Sequence, residues 1–176
     1  ARGLQLWVAL PDGARDVPRA FEHVADLPVR TFPGARATVF VGEYEGAVSR
    51  ARTHSPLLGL QIEIDAGADV ELPLRSDFEH AVQMIDGAAR IAGEELPHGP
   101  LLYLGRGRES VRVEHLAPGD DGVTRLLLLG GEPLHEDLLM WWNFVGRSHD
   151  EVARARADWE DPERRAERYG VVAAHG

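Results

Sequence analysis

From Gly67 to Gly87 the chain reads GADVELPLRSDFEHAVQMIDG, and this stretch restricts the fold more than any other. A glycine opens an alternation of polar and apolar residues through Val70, Leu72 and Leu74. A second alternation through Ala81, Gln83 and Ile85 runs into the turn pair Asp86-Gly87. A period of two sends successive side chains to opposite faces, so the stretch predicts two short strands and a hairpin. Ala88–Ile91 is expected to continue that hairpin beyond the turn.

The same pattern recurs along the chain. Gly3 to Pro11 sets Leu4, Leu6, Val8 and Leu10 against Gln5, Trp7 and Ala9; both faces are largely apolar, which predicts a strand lying between two layers. Residues 14–34, interrupted by Pro18, Pro28 and Pro33, read as a connection anchored by Phe21 and Val24, with a short strand near Phe21. Strands are expected at Ala37–Tyr44, Leu58–Ile64, Leu101–Leu104, Ser110–His115 and Thr124–Leu129, the last ended by Gly130-Gly131. Many short strands with Gly and Pro turns and no helices between them point to an all-β jelly-roll barrel.

Beyond Leu138–Val145, the most aromatic stretch, Ser148-His149-Asp150-Glu151 has the form of a capping box, and Asp161-Pro162 opens a second short helix ending near Tyr169-Gly170. The first helix is expected to place Val152, Ala155 and Trp159 on one face. The expected organisation is a leading strand and connection at 1–34, a barrel at 35–146 and a helical tail at 147–176. No internal repeat stands out.

At 176 residues the chain can bury one core without covalent staples, and it contains no cysteine, which excludes disulfides and thiolate chemistry. Its formal charge of -10 opposes binding to phosphate backbones, so nucleic acid is not an expected direct partner. No window approaches the roughly 18 apolar residues of a membrane span, and the first residues lack the basic start of a secretory signal. A soluble, cytoplasmic protein without membrane contact is expected. The alanine at position 1 suggests a processed or cut end.

The spacing from Gly67 to Gly87 is that of the first motif of cupin barrels, in which a glycine introduces His-x-His, a glutamate and a closing glycine. On that frame the ligand positions are Pro73, Arg75 and His80. Proline has no donor atom, and arginine carries a fixed positive charge that repels a cation. His80 alone could bind, so no metal is expected here, and His80 reads as a structural histidine. A second motif starting at Gly107 fares no better, because Val113, His115 and Pro118 fill its proline, glycine and histidine positions.

The histidines His23, His54, His98, His115, His135, His149 and His175 show no metal-ligand spacing, although His54 lies in a loop suited to a barrel mouth. Ser110, His115 and Asp120 could be assembled as a triad, but without a nucleophile elbow or oxyanion donors. Gly105-Arg106-Gly107-Arg108 reads as a tight turn rather than a phosphate loop. Trp141 and Trp142 are expected to be structural, one ring in the barrel and one under the helix; a binding surface is the alternative.

GLQLWVALP at Gly3–Pro11, THSPLLGLQIEI at Thr53–Ile64, GGEPLHEDLLMWWNFVGRSHDEV at Gly130–Val152 and ERYG at Glu167–Gly170 resemble the second half of the pirins, two-cupin (bicupin) proteins of bacteria and eukaryotes. The WWNFVGRSH form is similar to a bacterial branch. The resemblance implies a metal-free C-terminal cupin of the RmlC-like jelly-roll type. It places the family's iron, held by three histidines and a glutamate, in an N-terminal domain that would lie before Ala1, so no catalytic residue carries over. Members are described as quercetin 2,3-dioxygenases and as regulators that bind other proteins. An interface through Leu6, Trp7, Val8, Trp141 and Trp142 is expected, with the absent N-terminal cupin, a second copy or a regulatory protein as partner. Two alternatives stay open: part of an iron-dependent quercetin 2,3-dioxygenase-like enzyme, and a barrel that binds a small ligand around His80.

Overall fold

A computed structural model of the chain describes residues 3–170; Ala1 and His175 lie outside the described residues. Two compact units form, one from Asp12–Pro133 and the other from Ala1–Pro11 with Leu134–Gly176. The expected limits at 34 and 146 differ from these. Val29–Phe32 pairs with Ala35–Val41 and joins the barrel, while Leu139–Trp141 pairs with Phe144–Gly146 in the second unit.

In chain order the barrel unit contains β1 (Val29–Phe32), β2 (Ala35–Val41), β3 (Glu43–Tyr44), β4 (Ala47–Val48), β5 (Leu57–Ile64), β6 (Asp69–Pro73), β7 (Glu79–Asp86), β8 (Ala88–Ile91), β9 (Glu94–Leu96), β10 (Leu101–Gly105), β11 (Ser110–Ala117) and β12 (Thr124–Gly131). A six-stranded sheet runs β1-β2-β5-β12-β7-β10 and a four-stranded sheet runs β6-β11-β8-β9. Their pairings are antiparallel, as an all-β jelly roll requires.

Alternation decides which side chains enter the core. Leu58, Leu60, Ile62 and Ile64 of β5 meet Val82 and Met84 of β7, Leu126 and Leu128 of β12, and Val70, Leu72, Val111 and Val113 of the smaller sheet. Full burial of each large aliphatic side chain contributes about 1.5–3 kcal/mol before the entropy of ordering it. On outward faces arginines bridge strands: Arg112 meets Asp69 through two bonds of 2.8 and 2.5 Å, and Arg90 reaches Glu114 and Glu95. Such exposed pairs favour a register more than they stabilise the fold.

Three expectations about local structure are corrected. First, β6 and β7 do not form a hairpin. The tight turn Arg75–Phe78, closed by Phe78 N–H donating to Arg75 O at 3.0 Å, carries the chain from the smaller sheet to the larger. The chain crosses back at Gly87, so β8 pairs with β11 and β9 rather than β7. Gly87 has φ +82°, and a Cβ there would lie 2.6 Å from Thr124 Oγ1, so the crossing needs a glycine.

Second, Phe21 anchors nothing: it is 91% exposed, and the early strand is β1 instead. Third, Gly3–Pro11 forms no strand. No described residue pairs with it, and Leu4, Leu6, Trp7 and Val8 are exposed.

In the second unit, β13 (Leu139–Trp141) and β14 (Phe144–Gly146) make a hairpin, followed by α1 (His149–Glu160) and α2 (Pro162–Tyr169). Ser148 caps α1 by accepting from Glu151 N–H at 3.2 Å. The Glu151 carboxylate reaches back to Arg147 N–H at 2.7 Å, one residue before the expected one. Asp161 caps α2 by accepting from Glu163 and Arg164 N–H. Val152 and Ala155 are buried on α1, while Trp159 packs edge-on against Tyr169 and stays partly exposed. Arg147 ties the unit together by donating to Leu10 O at 2.6 Å and pairing with Glu136.

Candidate functional site

The cupin-frame positions fall on β6, on the crossing turn and on β7. Pro73 ends β6. Arg75 donates to Asp77 at 3.1 and 2.6 Å, and its guanidinium lies 4.0 Å from the centroid of the Phe78 ring. That hydrogen bond holds Asp77 below its ordinary carboxylate value and raises Arg75. Phe78 is buried, and its ring centroid lies 6.1 Å from that of His80 at a 34° tilt. Guanidinium, phenyl and imidazole therefore follow one another from the exposed turn into the core.

His80 is 2% exposed and faces inward from β7. Its register partners on the two flanking strands are both glycines, Gly130 on β12 and Gly105 on β10. A Cβ at Gly130 would stand 2.8 Å from His80 Cδ2 and 3.1 Å from Nε2, so the ring occupies the space that a side chain on β12 would take. Neither ring nitrogen has a hydrogen-bond partner among the described residues. Burial lowers the His80 pKa below its ordinary value; the charge of Asp77 opposes the shift and that of Arg75 adds to it. The imidazole is thus held neutral, able to donate one hydrogen bond and accept one.

Tyr44 is a second buried group of this kind. Its ring packs edge-on against Phe32 at 5.8 Å and its hydroxyl has no partner among the described residues. Burial, followed by the charge of Glu45, raises its pKa. Tyr44 lies on β3, and its ring partner Phe32 pairs with Ala35 opposite Ile64, whereas His80 pairs with Gly130 opposite Leu58, at the other end of β5.

A divalent metal does not fit this set: one imidazole stands beside a proline without a donor and an arginine already engaged by Asp77. Among the described residues no group of three or more His, Asp or Glu side chains is arranged to hold a metal ion.

The remaining candidates are not brought together. Ser110 and His115 lie five residues apart on β11 and so face opposite sides. The Ser110 hydroxyl donates to Glu71, and Asp120 N–H donates to Asp86 at 3.2 Å. Gly105–Arg108 ends β10 in a turn where Arg108 donates to Leu104 O. His54 is exposed in the loop before β5.

The tryptophans require a correction, since neither indole is buried. Trp142 sits at the tip of the β13–β14 hairpin with φ +50° and is 80% exposed. Trp141 stacks on Phe144 at 6.3 Å with the Arg156 guanidinium 5.2 Å above it. A three-pair ladder closed by the two residues Trp142 and Asn143 leaves no interior for either ring. Leu6, Trp7 and Val8 are exposed as well.

Sequence reasoning missed Tyr44, Phe78 and Gly130. Gly130 was legible only as the end of a strand, because nothing local announces that it faces a histidine fifty residues earlier.

Comparison with known proteins places this geometry. Residues 59–164 match the family described as the Pirin C-terminal cupin domain. A protein of Pseudomonas aeruginosa that carries the name of a quercetin 2,3-dioxygenase is 38% identical over 165 residues, covering 94% of this chain and 51% of that protein. Human pirin is 29% identical over 175 residues, covering 96% of this chain and 59% of its own length. The crystal structure of a quercetin 2,3-dioxygenase from Acinetobacter baumannii superposes with a TM-score of 0.84 at 36% identity, covering 97% of this chain and 56% of that one. The chain thus spans about half the length of the curated relatives it matches.

Proposed function

Because the chain belongs to the pirin family, as its C-terminal cupin domain, we propose that it is the metal-free half of a bicupin, a structural and protein-interaction barrel beside an iron-binding N-terminal cupin. The observation that carries this reading is the fate of the cupin frame. The barrel is retained while Pro73 and the Arg75–Asp77 pair stand where metal ligands would be. The exposed apolar residues Leu6, Trp7, Val8, Trp141 and Trp142 supply a surface for a partner, since large exposed apolar patches mark interaction sites. That partner is the N-terminal cupin, or a second copy where it is lacking. Any dioxygenase chemistry of the complete protein belongs to the N-terminal iron, with this domain forming a distal wall.

Metal analysis and turnover test the division of labour. The purified chain should contain no stoichiometric iron and leave quercetin unchanged, whereas a longer polypeptide that includes the N-terminal cupin should bind iron. Iron at one per chain that disappears in His80→Ala overturns the reading. Sedimentation at dilute concentration should show self-association, and a monomer that binds no partner counts against the interaction role.

A second reading, a small-ligand barrel, is favoured by the buried, unpartnered His80 imidazole. Phenol, which joins an aromatic ring to one hydroxyl, is a suitable probe. Shifts of the His80 ring resonances on phenol addition support this reading; unmoved resonances exclude it for this class of ligand.

A further inference from the structure

The turn that carries the chain from β6 to β7 is exposed at Arg75, Ser76 and Asp77 and buried at Phe78. Phe78 is therefore the side chain that the turn lays over the barrel. The Arg75 guanidinium lies 4.0 Å from the centroid of that ring, and Asp77 fixes the guanidinium through two bonds of 3.1 and 2.6 Å. Beyond Phe78 the His80 imidazole follows at 6.1 Å. The tip of the turn is tied down by Gly107 N–H donating to Ser76 O at 2.9 Å, and its base by Leu74 N–H donating to Glu109 O at 2.8 Å. A short exposed turn with so few ties is the kind of element that opens locally while both sheets stay intact.

Beneath it lies a group without a partner. Both ring nitrogens of His80 are buried and unpaired among the described residues, and a molecule that supplies a missing hydrogen bond recovers the cost of burying them. The level of His80 is short of side chains on its neighbours: β12 has Gly130 there, and β10 bulges between Tyr103 and Gly105. Bulges of this kind recur at barrel rims and beside binding sites. The positions next in register, Leu58 opposite Gly130 and Leu104 before Gly105, are buried and apolar. An anion at this depth would lack a counter-charge, because Arg75 is engaged by Asp77 at the surface.

We infer that the Arg75–Phe78 turn is the entrance to a binding site floored by His80, with Phe78 as its gate and the Arg75–Asp77 pair as its latch. The site takes a small, neutral, planar aromatic molecule with one hydrogen-bonding group. This rests on the small-ligand reading and deepens it by naming the route in and the charge of the guest. The polar group of the guest meets an imidazole nitrogen, and its ring meets Phe78. The latch closes over the empty and the occupied site alike. Its loss therefore speeds entry and exit together and leaves the affinity almost unchanged.

The test titrates phenol into the whole chain and follows exchange of the His80 ring resonances, assigned by their loss in His80→Ala, to obtain both rates. Arg75→Gln should raise association and dissociation about fivefold each, the scale set by an exposed ion pair, with Kd kept within about twofold. Salt at about 1 M should do the same to the parent and nothing further to Arg75→Gln. Phe78→Leu, with the barrel intact by circular dichroism, should also raise both rates. Arg112→Gln, which breaks the exposed pair with Asp69 on β11, should change neither. Benzoate should leave the His80 resonances unmoved where phenol saturates them. Phenol binding at rates that ignore Arg75→Gln and Phe78→Leu overturns the gate and leaves the small-ligand reading standing. Benzoate bound as tightly as phenol overturns the neutral class of guest. If phenol moves no His80 resonance, the entrance and the small-ligand reading fall together.

Discussion

The two units of the chain treat large apolar side chains in opposite ways. In the barrel unit, β5, β7 and β12 direct Leu60, Ile62, Val82, Leu126 and Leu128 into a core that water does not reach. All four tryptophans lie in the other unit, Trp7, Trp141, Trp142 and Trp159, and none is less than 42% exposed. The difference is one of closure. Two sheets can cover each other's apolar faces, whereas a three-pair hairpin, two short helices and an unpaired segment cannot cover theirs. An exposed leucine is ordinary, but four exposed indoles in one unit leave a large aromatic surface in water.

Truncation inside and outside the core tests this contrast at its strongest. Leu128→Ala should destabilise the barrel by about 2–5 kcal/mol in urea denaturation followed by far-ultraviolet circular dichroism. Leu6→Ala in the isolated chain should stay within about 0.5 kcal/mol of the parent. Equal losses would mean that Leu6 is buried and would erase the distinction.

Gly130 sharpens the picture of the core around His80. Gly130→Ala brings a methyl group against the His80 ring, a clash expected to cost about 1–3 kcal/mol. In the His80→Ala background the same change should cost clearly less, because the two positions share one space. Additive losses would show that the ring does not fill the place opposite Gly130.

Protonation of His80 adds a smaller effect, of predictable sign. Its folded pKa lies below the ordinary 6.5, so under mildly acidic conditions the unfolded chain takes up a proton that the folded chain resists. This contribution is intact above about pH 6.5 and is lost as pH falls from there toward the folded pKa, with a slope of at most about 1.4 kcal/mol per pH unit from a single site. The stability difference between the parent and His80→Leu should shift with pH across that window. A difference that is independent of pH would place the ring in water or beside a partner.

The smallest expected changes concern the exposed unit. Ser148→Ala should cost about 1 kcal/mol through loss of the α1 cap. Trp142→Gly should raise stability by up to about 1 kcal/mol, since φ +50° strains a tryptophan and not a glycine. With all the indoles in this unit, tryptophan fluorescence is the natural readout. Destabilisation by Trp142→Gly would mean that its ring makes contacts the hairpin needs.

Much of the fold was legible in the sequence. β8 starts and ends where its pattern predicted, β5, β10, β11 and β12 were found to within a few residues at their ends, and the caps at Ser148 and Asp161 were read from spacing alone. The candidate site was legible by exclusion, because Pro73 and Arg75 cannot coordinate a cation wherever the fold puts them. The surroundings of His80 were not legible, since they come from Phe78, Gly105 and Gly130 on three different elements. The tryptophans were misread for a related reason: apolar composition favours burial, but only a covering layer produces it.

The sequence by itself determined where β5, β8, β10, β11 and β12 run, which side chains of β5 and β11 turn inward, where the helix caps fall, and that Pro73 and Arg75 offer no ligand to a cation. These follow from period-two alternation, cap chemistry and donor atoms, all properties of neighbouring residues. Only the tertiary structure decided that β6 and β7 part into different sheets, that two glycines flank His80, and that β12 is enclosed while Gly3–Leu10 is left open. A strand's hydrogen-bonding edges accept any strand of compatible register, so the choice of partner rests with chain segments far away in sequence.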